Sequence, residues 1–342
     1  MADVESTYIA ACEAAGVVPR VPISAPGPTL RANGNSDALR NNRLRDADIA
    51  PLTSALMTGH LYEELDLSYN YLSTTLAAEP LKNLLETDTQ LRRLNLAQNE
   101  LDVEAAQMLC KALKENSTLE ELSLSGNKLG SSGGLALADL LQQSSSGLKH
   151  LALNDCELTT ESLVALATVL QANDKLESLH VARSMNAPLM EEATSHFSRM
   201  LKVNSTLIEL DLSHCTMRDL GLQLLAEELY RAGEESKLAS LMLNGNQISL
   251  VDSACVNALS LLLGSKTCAS PHHTTVAHAS PPCTAGAASS VASPSCGLHP
   301  LCCHCAQNTP FDCHKRSTKH NNCVRVHLTY PTSLPARQLS HQ

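Results

Sequence analysis

Three stretches of this chain, LRRLNLAQNEL, LEELSLSGNKL and LKHLALNDCEL, space their leucines identically. Each reads Leu-x-x-Leu-x-Leu-x-x-Asn/Cys-x-Leu. The asparagine or cysteine position recurs after 28 residues, from Asn99 to Asn127, and after 29 more, at Cys156. Such a fixed period restricts the chain to stacked units. One short strand and one helix cannot bury their apolar sides alone, so each unit must lean on the next.

The same spacing extends in both directions. Tyr62, Leu65, Leu67, Asn70 and Leu72 form one unit. Leu176, Leu179 and Val181 begin another, with Ser184 in the asparagine place and Asn186 in the last leucine place. Leu207, Leu210, Leu212, Cys215 and Met217 follow, then Leu238, Leu241, Leu243, Asn246 and Ile248. Between these runs the apolar residues shift to helical spacing. Val103, Ala106, Leu109, Cys110 and Leu113 share one face. Leu163, Leu166, Ala167 and Leu170 share another, and Leu220, Leu224, Leu225 and Leu229 a third. The pattern predicts an α/β solenoid of horseshoe form, with a parallel concave sheet and convex helices. The Asn or Cys side chain is expected to bond turn backbone that would otherwise be buried unpaired. Cys156 and Cys215 are therefore expected to be structural, and Asn116 and Asn204 to turn the chain from helix to strand.

The ends read differently. Residues 1–29 form an N-terminal segment, in which Val4, Tyr8, Ala11, Cys12 and Ala15 predict a short helix, either a cap on the first repeat or a loosely held tail, before the prolines of VPRVPISAPGP. Residues 30–264 form the repeat domain. Its first unit is degenerate: Asn42 and Leu44 keep their places without a preceding Leu-x-Leu, and a helix is expected from about Pro51. Residues 265–342 lose the apolar period and hold eight of the 13 cysteines and nine of the 14 histidines. They are expected to be a disordered tail, so a chain ending at Gly264 is expected to melt as the full chain does.

Charge divides unevenly. The whole chain carries −10; six basic residues against Asp312 give residues 265–342 a net +5 and leave −15 on residues 1–264. An acidic array does not suit nucleic acid, because such binding rests on neutralising phosphates. It suits a basic protein partner. The start, MADVESTYIAACEAAG, has no basic n-region and is not expected to be a signal peptide. No membrane segment is expected. The cysteines are expected to be reduced, in an intracellular protein.

Repeats of 28–31 residues with a helix on the convex side resemble the ribonuclease-inhibitor type of leucine-rich repeat family, over about Leu30 to Gly264. DCELTTESLVALATVLQAN, VARSMNAPLMEEATSHFSRMLKVN with its His196, and LGLQLLAEELY are similar to the corresponding run in the leucine-rich repeat-containing protein 34 group. The resemblance implies a non-enzymatic interaction protein in a cytoplasmic, ciliary or nucleolar setting. Members of that group continue with further repeats where this chain has its Cys/His-rich tail.

Exposed strand positions should line the concave face in two columns. One is Glu64, Arg93, Glu121, His150, Ser178, Glu209 and Ser240. The other is Asp66, Asn95, Ser123, Ala152, His180, Asp211 and Met242. A rigid extended face is what a solenoid offers a partner. The candidate protein-binding residues are Glu64, Asp66, Tyr69, Arg93, Asn95, Glu121, His150, His180, Glu209 and Asp211. Tyr69 and Tyr71 are the candidate aromatic anchors in a chain with no Trp and two Phe, with packing in its own turn the alternative role for Tyr71. Gly130 to Gly134 formally match Gly-x-Ser-x-Gly around Ser132, but they fall in the loop position that every unit has, outside any hydrolase sheet. No P-loop, dinucleotide fingerprint or His-Glu-x-x-His occurs. Neither catalysis nor a cofactor is expected. Cys302, Cys303, His304, Cys305, Cys313, His314, His320 and Cys323 are zinc-ligand types in no finger spacing, and no metal site is expected. The function expected is that of a monomeric scaffold or adaptor. Two alternatives are regulation of a small GTPase, with Arg40, Arg43 or Arg45 stabilising phosphoryl charge, and inhibition of a basic enzyme.

Overall fold

The leucines at the centre of each repeat strand stand in one row. In the computed structural model, which describes residues 3–23, 27–73, 75–143, 145–184, 190–249, 253–264 and 325–327, eight parallel strands follow one another in chain order. They are β1 (Thr29–Arg31), β2 (Glu64–Asp66), β3 (Arg93–Asn95), β4 (Glu121–Ser123), β5 (His150–Ala152), β6 (Ser178–His180), β7 (Glu209–Asp211) and β8 (Ser240–Met242). A ninth, β9 (Arg325–His327), pairs antiparallel with β8. The helices are α1 (Val4–Ala15), α2 (Asp46–Met57), α3 (Thr75–Thr87), α4 (Val103–Leu113), α5 (Gly130–Gln142), α6 (Thr160–Val169), α7 (Met190–Val203), α8 (Arg218–Ala232) and α9 (Ser253–Gly264), each packed on the next.

The core lies between sheet and helices. Leu30, Leu65, Leu94, Leu122, Leu151, Leu179, Leu210 and Leu241 are each at most 2% exposed and meet in strict register. Parallel neighbours need a crossover, and each repeat supplies one helix for it. The asparagine column closes the inner turn. Asn127 Oδ1 accepts from Leu101 N, and its Nδ2 donates to Leu96 O and Leu124 O. Asn70 and Asn99 repeat that pattern between their own repeats, and Asn246 accepts from Met217 N and donates to Leu212 O. Cys156 Sγ lies 3.1 Å from Leu124 O and Cys215 Sγ 3.5 Å from Val181 O, and Ser184 Oγ donates to Val181 O at 2.7 Å.

Several expectations change. The first repeat does have its strand. Leu30 and Ala32 hold the inward places, and residues 33–43 are inserted before Leu44. Asn42 is exposed, and it is Asn70 that takes Leu44 N and Ala32 O. Helix α2 begins at Asp46, not Pro51, because Asp48 Oδ2 accepts from Arg45 N at its start; Pro51 sits inside. Gly130 to Gly134 are the first turn of α5 rather than loop. A Cβ at Gly134 would stand 2.4 Å from Ser162 Cβ, so glycine there lets α5 and α6 approach. Helix α8 buries Gly221, Leu222, Leu225, Ala226 and Leu229, leaving Leu220 46% exposed.

At the start of the chain, α1 sets Tyr8 and Cys12 into the same core, whereas Ala15 is exposed. Tyr8 Oη accepts from Arg20 N and Val21 N, which fixes the chain leaving the helix. The expectations for Asn186 and for the tail lie outside the described residues, apart from the three of β9.

Candidate functional site

The two concave columns form as the alternation requires. Glu64, Arg93, Glu121, His150, Ser178, Glu209 and Ser240 pair in one row, and Asp66, Asn95, Ser123, Ala152, His180, Asp211 and Met242 in the next. Each strand is three residues long, so its central leucine points inward and the two flanking side chains outward.

These side chains are not equivalent. Glu64 is engaged: Thr29 Oγ1 donates to its Oε2 at 3.1 Å, and the Arg93 guanidinium lies 3.3 Å away. Asp66, Asn95 and Asp211 spend an oxygen on their own turns, accepting from Ser68 N, Ala97 N and Ser213 N. Asp66 also accepts from Asn33 Nδ2 and Ser68 Oγ. The Glu121 side chain is exposed and has no hydrogen bond or ion pair among the described residues. Ser178 Oγ donates to Glu209 Oε2 at 3.4 Å. His180 Nε2 is buried 3.6 Å from the same oxygen, too far for a hydrogen bond.

A shallow concavity of about 230 Å³ lies over β4 to β7, lined by Glu121, His150, Ala152, Ser178, His180 and Glu209. Its floor is low because Ala152 and Ser178 are small beside His150, His180 and Glu209. Four of the candidate residues, Glu121, His150, His180 and Glu209, therefore meet around one hollow. Glu64, Asp66, Arg93 and Asn95 form a separate acidic-basic patch nearer the first repeat, and Asp211 lies beside the hollow on β7.

Tyr69 stands in the turn beyond β2 with φ 59° and half-buried, its N–H on Ala97 O. Tyr71 is 47% exposed, with Arg43 stacked 5.3 Å from its ring centre. Of the three arginines of the first repeat, Arg43 is thus held by Tyr71 and by Asn35 Oδ1. Arg40 is exposed beside Asp37.

A third row, just before the strands, went unnoticed in the sequence. Glu120 bridges Arg92 at 2.8 Å and Lys149 at 3.1 Å. Lys149 and then Arg92 hold its carboxyl below the ordinary range. The common period of these three positions was the available signal.

Burial pushes the Cys110 and Cys156 thiols up to about 12 and Cys215 to about 11, which suits packing rather than nucleophilic chemistry. Among the described residues no cluster of three or more His, Cys, Asp or Glu could hold a metal ion. The cysteines and histidines considered as zinc ligands lie outside them. No described helix is long and apolar enough to cross a membrane.

Stacked strand–helix units, a leucine core and an asparagine column define a leucine-rich repeat protein. Its repeats are similar in sequence to those of ribonuclease inhibitors. The family model described as Leucine Rich repeat matches residues 115–138, 145–167 and 203–226. The ribonuclease inhibitor of Sus scrofa is 28% identical over 229 residues, covering 67% of this chain and 42% of that protein. NACHT, LRR and PYD domains-containing protein 5 of Bos taurus is 31% identical over 62% of this chain and 19% of its own length. A solved structure of leiomodin-1 actin-binding site 2 is 18% identical, with a TM-score of 0.40, over 45% of this chain and 86% of that one. The chain spans under half the length of the ribonuclease inhibitors it matches.

Proposed function

We propose that this chain is a protein-binding scaffold that receives a basic partner on its concave face and performs no chemistry of its own. The observation that carries the reading is the hollow over β4 to β7, with the unengaged Glu121 at one side and Glu209 at the other. A stacked core holds these groups in place before binding, so little ordering cost remains when a partner arrives. The net −15 on residues 1–264 attracts a basic surface from a distance.

Glu64 and Asp66 are poor places to test this, because both hold neighbouring groups. The informative variant is Glu121→Lys with Asp211→Asn, compared with Glu104→Lys and Glu115→Lys on the convex side. Capture from cell extract followed by mass spectrometry should show partner loss with the concave pair and retention with the convex pair. Added salt should narrow the difference. Loss confined to the convex variant would move the site to the helices.

A second reading, inhibition of a basic ribonuclease, is favoured by the likeness to ribonuclease inhibitors. It predicts that the chain slows RNA hydrolysis by a basic pancreatic-type ribonuclease at near-equal concentrations. Undiminished hydrolysis in excess chain would remove it.

A further inference from the structure

The two ends of the solenoid are closed differently. At the first, α1 packs on α2. At the other, β8 has no following repeat among the described residues. Its backbone shows what that leaves open. Ser240 N donates to Ile208 O and Met242 O accepts from Leu212 N, so both residues turn their main-chain groups toward β7. Successive residues of a strand alternate sides, and the N–H and C=O of Leu241 therefore project from the outer edge. An uncovered edge of this kind is a template for another strand.

The structure seats β9 on that edge. Ser240 stands opposite His327, Leu241 opposite Val326 and Met242 opposite Arg325. The sequence around β9 suits the place. Val324, Val326 and Leu328 alternate with Arg325, His327 and Thr329, the period-two pattern of a strand with one apolar side. In backbone register, Val326 follows Leu241, His327 follows Ser240 and Arg325 follows Met242. The segment is basic where the array is acidic.

We propose that the outer edge of β8 is a strand-addition site whose occupant is this chain's own segment around Arg325–His327. The direction of pairing gives it the role of a terminator. A further repeat would add a parallel strand with its crossover helix and present a new edge of the same kind. An antiparallel strand covers the Leu241 edge without a crossover helix and so brings no further leucine repeat to continue the series. This inference is independent of the concave-face reading. On it, a chain shortened at Gly264 no longer melts as the full chain does, contrary to the expectation from the missing apolar period.

Amide hydrogen exchange on the full chain tests it. The Leu241 amide should exchange roughly a hundredfold more slowly than an open edge amide. Val326→Pro removes a strand donor and should abolish that protection. Leu122 and Ser240, whose amides point into the array, should stay protected and report that the fold persists. Val326→Ile should retain the protection, and Arg325→Glu with His327→Glu should reduce it. Rapid Leu241 exchange in the unaltered chain would overturn the proposal. So would protection that survives Val326→Pro, whether in a monomer or in a dimer seen by light scattering; the dimer would identify a second copy as the occupant.

Discussion

Asn127 satisfies three main-chain groups in two repeats with one buried side chain. Replacing it with alanine leaves those groups buried and unpaired, which should cost about 2–4 kcal/mol. Cys156→Ala should cost about 1 kcal/mol beyond lost packing, because a thiol is a weak donor. Urea unfolding of both variants checks the order, and a larger loss at Cys156 would contradict the column's role. Leu122→Ala and Leu151→Ala each open a cavity in the inward row and should cost about 2–5 kcal/mol. These positions were legible because the period places them without any knowledge of the fold. Asn42 misled for a local reason. Counting back from Leu44 gives it the asparagine place, but the insertion at 33–43 swings it to the surface, and the strand begins thirteen residues before it, at Thr29.

Where helix returns to strand, a second polar column runs along the elements, with asparagine at three places and Asp88 at a fourth. Asn116 Oδ1 accepts from Thr118 N and Leu119 N while its Nδ2 donates to Leu85 O in the preceding repeat. Asn173 and Asn204 do the same two and three repeats on. Asp88 takes the equivalent place and accepts from Gln90 N and Leu91 N, but a carboxylate has nothing to donate backward. The preceding repeat supplies the donor instead, as His60 Nε2 at 2.6 Å, with His60 Nδ1 accepting from Tyr62 N. His60→Ala should therefore destabilise strongly, and Asp88→Asn should recover part of the loss in that background by restoring a donor; additive losses would sink the pairing. Burial pushes the Asp88 carboxyl up, but His60 and the two amides outweigh it and hold it below its usual value. A carboxyl depressed in the folded state adds stability above its unfolded pKa of about 3.9, and that stability is lost as pH falls through the lower folded value. Melting of Asp88→Asn below about pH 4 should accordingly fall less steeply with acid than the unaltered chain. The helix faces were less legible than these turns. In LGLQLLAEEL two leucine stripes have helical spacing, and the buried one carries Gly221, where Met217 Cγ would lie 1.9 Å from an added Cβ.

Across the whole molecule each repeat touches its neighbours alone, so stability propagates along one axis. This is also why the concave columns were readable in advance while their chemistry was not. Register follows from the period, but which carboxylate stays free depends on reach between adjacent repeats, as when Arg93 bends to Glu64 and leaves Glu121 open. The one-dimensional coupling makes the consequence of a cavity depend on its place. Leu151 lies in the middle of the row and Leu241 at its end, both buried to the same degree. Leu241→Ala should loosen the last repeat and leave exchange protection at Leu65 and Leu94 nearly intact. Leu151→Ala weakens two interfaces at once, so the parts on either side should unfold separately, with a broadened or two-step denaturant curve and a lower apparent m-value. The comparison needs residue-resolved hydrogen exchange beside circular dichroism. Identical single sharp transitions for both variants, with protection falling evenly from Leu65 to Leu241, would mean that the array unfolds as one cooperative block.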